Sequence, residues 1–163
     1  MPANSETLIA TGSFAVLCLL CSSLALIDLR RGIIPDGINL AIAVLGVAKV
    51  IVTDGMVPGA EAIVEALMVG MAFWLFRQVY FVLRKTQGLG LGDVKFLAAA
   101  VPWVGIPAVP TLLLIAALTA LLAIGSAQLA GQNLTRQTSL PFGPFLAMGL
   151  LSTLALQLWL GVP

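Results

Sequence analysis

Long apolar runs with very few charges constrain this chain more than any other feature of its sequence. Of its 163 residues, 60% are hydrophobic and 9% are charged, whereas a soluble domain carries about 25% charged residues. Side chains of this composition cannot cover a water-exposed surface, so we expect the chain to lie in a lipid bilayer. Backbone groups must be paired internally there, which predicts α-helices for the apolar runs.

Six apolar segments are separated by short loops, and a spanning helix needs about 20 residues. The sequence therefore predicts an all-α, polytopic membrane protein with about six transmembrane helices, in a single domain over residues 1–163. The fourth segment should be broken near Pro102 and Gly105, because these residue types interrupt helices. The predicted segments are 8–28, 37–52, 60–83, a fourth starting at 93, 109–129 and 144–160.

Basic residues occur in alternate loops, and this alternation predicts the orientation of the helices. Cytoplasmic loops of membrane proteins carry an excess of Lys and Arg. We therefore expect the odd-numbered loops in the cytoplasm and both termini outside, in a multi-pass protein of the inner membrane. The basic residues of these loops are Arg30, Arg31, Arg84, Lys85 and Arg136, with Lys95 just beyond the third loop.

Two acidic residues stand at the ends of apolar segments, where a carboxylate is costly. Asp28 closes the first segment and Asp93 opens the fourth. The predicted topology puts both at the cytoplasmic ends of their helices, at similar depth, which suggests acid–base chemistry on a membrane-embedded substrate. The alternatives are an ion-coupled transporter that uses both acids, or a structural subunit in which they only cap helices.

Glycines and prolines surround both acids. In the stretch GLGLGD, Gly90 and Gly92 permit a positive φ angle and close approach of the backbone, so the loop could present Asp93 to an extended peptide. The alternative is an ordinary turn in which Asp93 caps its helix. In the stretch IIPD, Pro35 ends the first loop and Asp36 is expected to cap the second helix.

A third stretch, LPFGPF, surrounds Gly143 with Pro141 and Pro144. These residues break the backbone at the start of the sixth segment and could leave amide and carbonyl groups free to pair with a substrate strand. Irregular backbone at membrane depth is tolerated where it is buried or lines a wet cavity. The simpler interpretation is a helix start, since proline suits the first turn.

The residues that other hydrolytic chemistries need are missing from this chain. Without histidine, neither a serine-type nor a cysteine-type triad can be assembled. Cys18 and Cys21 lie inside the first apolar segment, where we interpret them as small packing residues. We predict no metal, no cofactor and no binding to nucleic acid.

The stretches IDLRRGIIPD, GLGLGDVKF and LPFGPFLAMG together resemble the type IV prepilin peptidases, the bacterial branch of the GxGD intramembrane aspartyl proteases. The resemblance implies an aspartic-type endopeptidase of pilus assembly, with Asp28 and Asp93 as the catalytic pair and Asp36 in support. Its partners would be a prepilin substrate and membrane lipid. Another GxGD-type intramembrane protease is the alternative within this class.

The short form resembles the peptidases of tight-adherence (Flp) pili and some archaeal preflagellin peptidases. Larger members carry an N-terminal extension with paired C-x-x-C motifs that is linked with N-methylation. This chain begins almost at its first helix, so methyltransferase activity is not expected.

Aspartyl proteolysis needs one ionised and one protonated carboxylate with a water between them. Asp93 stands at a helix N-terminus, where the helix dipole favours the anion, and Asp28 stands at a C-terminus. We therefore expect Asp93 to be the general base and Asp28 to donate a hydrogen bond to the scissile carbonyl. Lys95 falls on a different helix face from Asp93 and is expected near lipid phosphate.

Overall fold

The computed structural model describes residues 3–85, 88–130 and 141–161. Within these residues the chain forms six α-helices and one short 3-10 helix, Ile106–Ala108, that joins the fourth helix to the fifth. The predicted all-α, polytopic architecture is confirmed. The α-helices are α1 (Ala3–Arg31), α2 (Asp36–Asp54), α3 (Met56–Arg84), α4 (Leu91–Val104), α5 (Val109–Leu129) and α6 (Gly143–Leu160).

Five of these helices are long and apolar enough to cross a bilayer, and α4 is the exception. It has 14 residues and measures about 21 Å, against about 30 Å of hydrocarbon. The expected break is found at Gly105, which has a φ angle of 74°. A break at Pro102 is wrong: the helix continues through it, because a proline in the last turn removes only one hydrogen bond.

The helices α2 and α3 form a hairpin that is closed by a single residue, Gly55, with a φ angle of 105°. The third segment begins earlier than predicted, at Met56, because Pro58 fits the first helical turn. Near the closed end, Gly59 packs against Ile51. The two helices are therefore held together at the end of the bundle far from Asp36.

Helix α4 occupies the centre of the bundle, where it packs against α2, α3 and α6. Most of its residues are buried. The indole Nε1 of Trp103 donates a hydrogen bond to the carbonyl of Ile42 at 3.0 Å, and Gly46 lies against the same ring. Because other helices surround it, α4 does not depend on lipid contacts, and its first turn is held at a defined depth.

Candidate active site

A cavity of about 550 Å³ lies at one end of the bundle, where α1 ends and α2, α4 and α6 begin. Asp28 and Asp93 both line this cavity. Asp28 is only 4% exposed, Asp93 is half-buried, and the two carboxylates are close enough for their charges to interact. The other lining residues are Gly32, Ile33, Ile34, Asp36, Gly88, Gly90, Leu91, Gly92, Pro141 and Phe142.

The carboxylate of Asp28 is held by the first amide of α6. The N–H of Gly143 donates a hydrogen bond to Asp28 Oδ2 at 2.8 Å. A Cβ atom on Gly143 would lie 2.6 Å from the same oxygen, so only glycine permits this approach. The partial positive charge of a helix N-terminus stabilises a carboxylate placed against it.

This contact overturns two expectations about the site. Asp28 does not lie only in the field of a helix C-terminus, because its oxygen meets the N-terminus of α6. The helix dipole therefore does not distinguish Asp28 from Asp93, and the assignment of Asp93 as the general base stays a prediction. The amide of Gly143 is also not free to pair with a substrate strand, because Asp28 occupies it.

The glycines before Asp93 serve close packing and do not adopt a positive φ angle. Gly88 lies against an aromatic ring of α3, Gly92 against Ile34, and a Cβ on Gly90 would be 2.9 Å from Asp93 Oδ2. The cap residue of α4 is Gly90, so Asp93 is not itself the N-cap. Instead, the Asp93 side chain turns back to the backbone of Gly90, as the third residue of a capping box does.

Two polar side chains from neighbouring helices hold the carbonyls of this glycine-rich loop. Arg77 Nε on α3 donates to the carbonyl of Leu89 at 3.0 Å, and Asn39 Nδ2 on α2 donates to the carbonyl of Gly92 at 3.4 Å. Neither residue belongs to a motif that the sequence suggests. The available signal is their polarity inside apolar segments, since such residues are rare in membranes and usually have a partner.

Asp36 and Lys95 form an ion pair at the rim of the cavity, with Nζ and Oδ1 2.7 Å apart. Both side chains are exposed. Asp36 is not the cap of α2: Pro35 occupies that position, and no side chain caps the helix. The ammonium of Lys95 contacts Asp36 because α2 and α4 pack side by side.

The remaining predicted residues divide between the cavity and its surroundings. Pro141 lines the cavity, whereas Pro35 and Pro144 lie in the caps or first turns of α2 and α6 and shape the helix starts. Arg136, which entered the orientation argument, lies outside the described residues. Among the side chains that the structure describes, no cluster of three potential metal ligands is formed.

Residues 15–125 match the model of the type IV leader peptidase family. The chain belongs to this family. The predicted family is therefore confirmed, and the match includes both Asp28 and Asp93. Gly143, which holds Asp28, lies beyond the matched residues of this family member.

Several curated relatives from bacteria resemble this leader peptidase family member. The prepilin leader peptidase/N-methyltransferase of Burkholderia pseudomallei is 33% identical over 139 residues, which are 85% of this chain and 44% of the relative. The protein of the same name from Dickeya chrysanthemi is 37% identical over 138 residues, which are 82% of this chain and 47% of the relative. The protein of the same name from Escherichia coli (strain K12) is 34% identical over 157 residues, which are 94% of this chain and 67% of the relative.

This member of the leader peptidase family spans about half the length of the first of these relatives. No solved structure matches the chain.

Proposed function

We propose that this chain is a membrane aspartyl endopeptidase that removes the basic leader peptide from type IV prepilins or related prepilin-like proteins. The observation that carries the proposal is the position of Asp28 and Asp93 on one cavity, near enough for their charges to interact. The chain belongs to a family of leader peptidases, and its relatives are named prepilin leader peptidases. A carboxylate pair at a helix-end cavity supplies the acid and the base that peptide hydrolysis needs.

In the proposed mechanism the two carboxylates share one proton, because like charges at short range oppose joint ionisation. The ionised carboxylate takes a proton from a bound water, whose oxygen attacks the scissile carbonyl, and the protonated carboxyl donates to the carbonyl oxygen. Collapse of the tetrahedral intermediate breaks the C–N bond, protonates the leaving amine and restores the shared proton. The amide of Gly143 stabilises an ionised Asp28 and the N-terminus of α4 stabilises an ionised Asp93, so either acid can begin the cycle as the base.

The distribution of charge supports a cytoplasmic position for this cavity. Arg30 and Arg31 end α1 and Arg84 ends α3 on the cavity side, whereas Asp54 and Glu61 lie toward the opposite end. Basic residues mark the cytoplasmic side of membrane proteins, which leaves both termini outside. A prepilin that keeps its basic leader in the cytoplasm and its apolar helix in the bilayer then presents its cleavage site at the depth of the two acids.

A cleavage assay tests the proposal. The protein would be coexpressed with a type IV prepilin, and leader loss followed by mass spectrometry for wild type, Asp28→Asn and Asp93→Asn. We expect cleavage by wild type and at least a 1,000-fold slower reaction in each variant, on the order of a lost acid or base group. Asp54→Asn, an exposed acid far from the cavity, is the matched control and should cleave normally. Cleavage that survives both cavity substitutions would contradict the aspartyl mechanism.

A further inference from the structure

A lateral groove of about 510 Å³ runs between α2 and α3, with α4 as its floor. The hairpin of α2 and α3 is closed at the far end by Gly55, and the groove extends from there toward the catalytic cavity. Its walls are almost entirely apolar, so in a membrane it faces lipid. The residues that shape it are Ala43 and Val47 on α2, Ile63 and Ala66 on α3, and Ala98 and Pro102 on α4.

The lateral groove is continuous with the catalytic cavity. Asp36 lines both of them and is paired with Lys95, so a peptide that lies between Asp28 and Asp93 enters the groove past this ion pair. From Asp36 to Val47, helix α2 rises about 16 Å at 1.5 Å per residue. The groove therefore has the length to hold about ten residues of a helix.

Asn39 provides an independent sign that the groove accepts a ligand. It lies one turn from Asp36, lines the groove and is only 4% exposed. Its Nδ2 donates to the carbonyl of Gly92, whereas its Oδ1 has no hydrogen-bond partner. Leaving a buried acceptor unpaired costs about 1–3 kcal/mol. Because Oδ1 is shielded as it stands, a ligand N–H gains that energy once the Asn39 side chain turns toward the groove.

An apolar helix that begins at the cleavage site supplies such a group. The first four amides of an α-helix have no partner within the helix, and the first turn of such a helix would lie beside Asn39. The carboxylate of Asp36 stands at the same place, paired with Lys95 Nζ, so the end of the groove is polar where such a helix begins. Small residues on the groove, such as Ala43 and Ala98, allow the close backbone approach by which helices associate in lipid.

We propose that the lateral groove binds the apolar helix that follows the scissile bond of the substrate, and that Asn39 Oδ1 accepts a hydrogen bond from its first turn. This role rests on the proposed function, because the occupant is the substrate of the peptidase. The cavity thus holds the unwound junction, and the groove holds the membrane helix in register with it. Lipid and a second copy of the chain are the competing occupants that the experiments distinguish.

Photocrosslinking tests the occupant without depending on cleavage. In an Asp93→Asn background, p-benzoylphenylalanine would replace Leu67, a groove residue that is 68% exposed, or Leu121 on α5, which is 65% exposed and serves as the matched control. With a prepilin that carries its leader and apolar helix as the probe, we expect adducts at Leu67 that map to the first ten or so residues of the apolar helix. Equal labelling from position 121 would overturn the inference. So would crosslinks from position 67 that join the protein only to lipid, or only to a second 16.9 kDa copy of the chain.

Kinetics provide a second test that separates the groove from the catalytic pair. Ala98→Phe fills the floor of the groove, and Ala117→Phe adds the same bulk to an exposed position on α5. The quantity compared is kcat/KM for the prepilin divided by kcat/KM for a short peptide that contains the junction but lacks the apolar helix. We expect this ratio to fall at least ten-fold in Ala98→Phe, through KM, and to stay unchanged in Ala117→Phe.

The outcomes of this test are distinct for the two proposals. An unchanged ratio in Ala98→Phe, with both substrates cleaved, overturns the docking of the helix and leaves the peptidase proposal intact. Absence of cleavage by the wild-type protein contradicts the proposed function instead, while the crosslinks still report whether the helix occupies the groove.

Discussion

Replacing Gly143 by alanine should disable the site while leaving the fold intact. The new Cβ would lie 2.6 Å from Asp28 Oδ2 and 3.0 Å from its Cγ. Ordinary van der Waals contact begins at 3.4 Å, so the carboxylate must retreat by about 0.8 Å or the start of α6 must move by the same amount. Either movement lengthens the 2.8 Å hydrogen bond from the Gly143 amide and changes the separation of Asp28 from Asp93.

The size of the effect follows from this displacement. A misplacement of about 1 Å at a catalytic group costs on the order of 100-fold in rate, which corresponds to about 2.7 kcal/mol of transition-state stabilisation. The weakened charged hydrogen bond, typically worth about 1.5–3 kcal/mol, agrees with this figure. Helix stability should not suffer, because alanine is the better helix former by up to about 1 kcal/mol.

The assay is prepilin cleavage by purified protein, with thermal unfolding of each variant measured in the same detergent. We expect kcat of Gly143→Ala to fall about 100-fold while its unfolding midpoint stays within a few degrees of wild type. Gly37→Ala is the matched control, because Gly37 also lies in the first turn of a helix but a Cβ there meets nothing within 4 Å. A kcat within three-fold of wild type for Gly143→Ala would refute the argument that this amide positions Asp28.

Three further substitutions test contacts between the helices. Arg77→Ala removes the hydrogen bond to the glycine-rich loop. It should lower kcat about ten-fold and speed proteolysis of that loop. Equal changes in the control Arg84→Ala, at the exposed end of the same helix, would exclude a specific role for Arg77. Gly46→Ala places a Cβ 2.7 Å from Trp103 Nε1 and should lower the free energy of unfolding by about 2 kcal/mol, measured by denaturant titration; an unchanged value contradicts the packing argument. Lys95→Ala breaks an exposed ion pair and should change that free energy by less than about 1 kcal/mol, so a loss above 2 kcal/mol would show that the pair contributes more than its exposure implies.

Much of the fold follows from local sequence patterns. The predicted fifth segment coincides with α5, and the other segments agree to within a few residues, with the largest differences at the starts of α1 and α3. The lengths of the apolar runs and the charges of the loops are sufficient to predict the helices. An apolar run that crosses the bilayer must pair its own backbone groups, and it does so as a helix. The same alternation of helices brings Asp28 and Asp93 to one end of the bundle, as the sequence predicted.

The contacts that position the acids could not be predicted in this way. The bonds of Asp28 with Gly143 and of Asn39 with Gly92 join residues that are 115 and 53 positions apart. They depend on how each helix is rotated about its axis, and a helix that is apolar on all sides carries no stripe that reveals its inward face. The helix-dipole reason for preferring Asp93 as the base fails for the same cause, since the contact of Asp28 with α6 is invisible until the helices are packed.

The short length of α4 connects the fold to the chemistry. A helix that lies in lipid along its length must match the thickness of the bilayer. Helix α4 packs against α2, α3 and α6, reaches lipid only at the lateral groove, and has no such requirement. Its C-terminal end can therefore stop at Gly105 inside the bundle, while its N-terminal end stays at the level of Asp28. A longer central helix would have to tilt or shift along its axis, and either change would move Asp93 away from its partner. The 14-residue length is thus better explained by the depth at which Asp93 must lie than by the membrane.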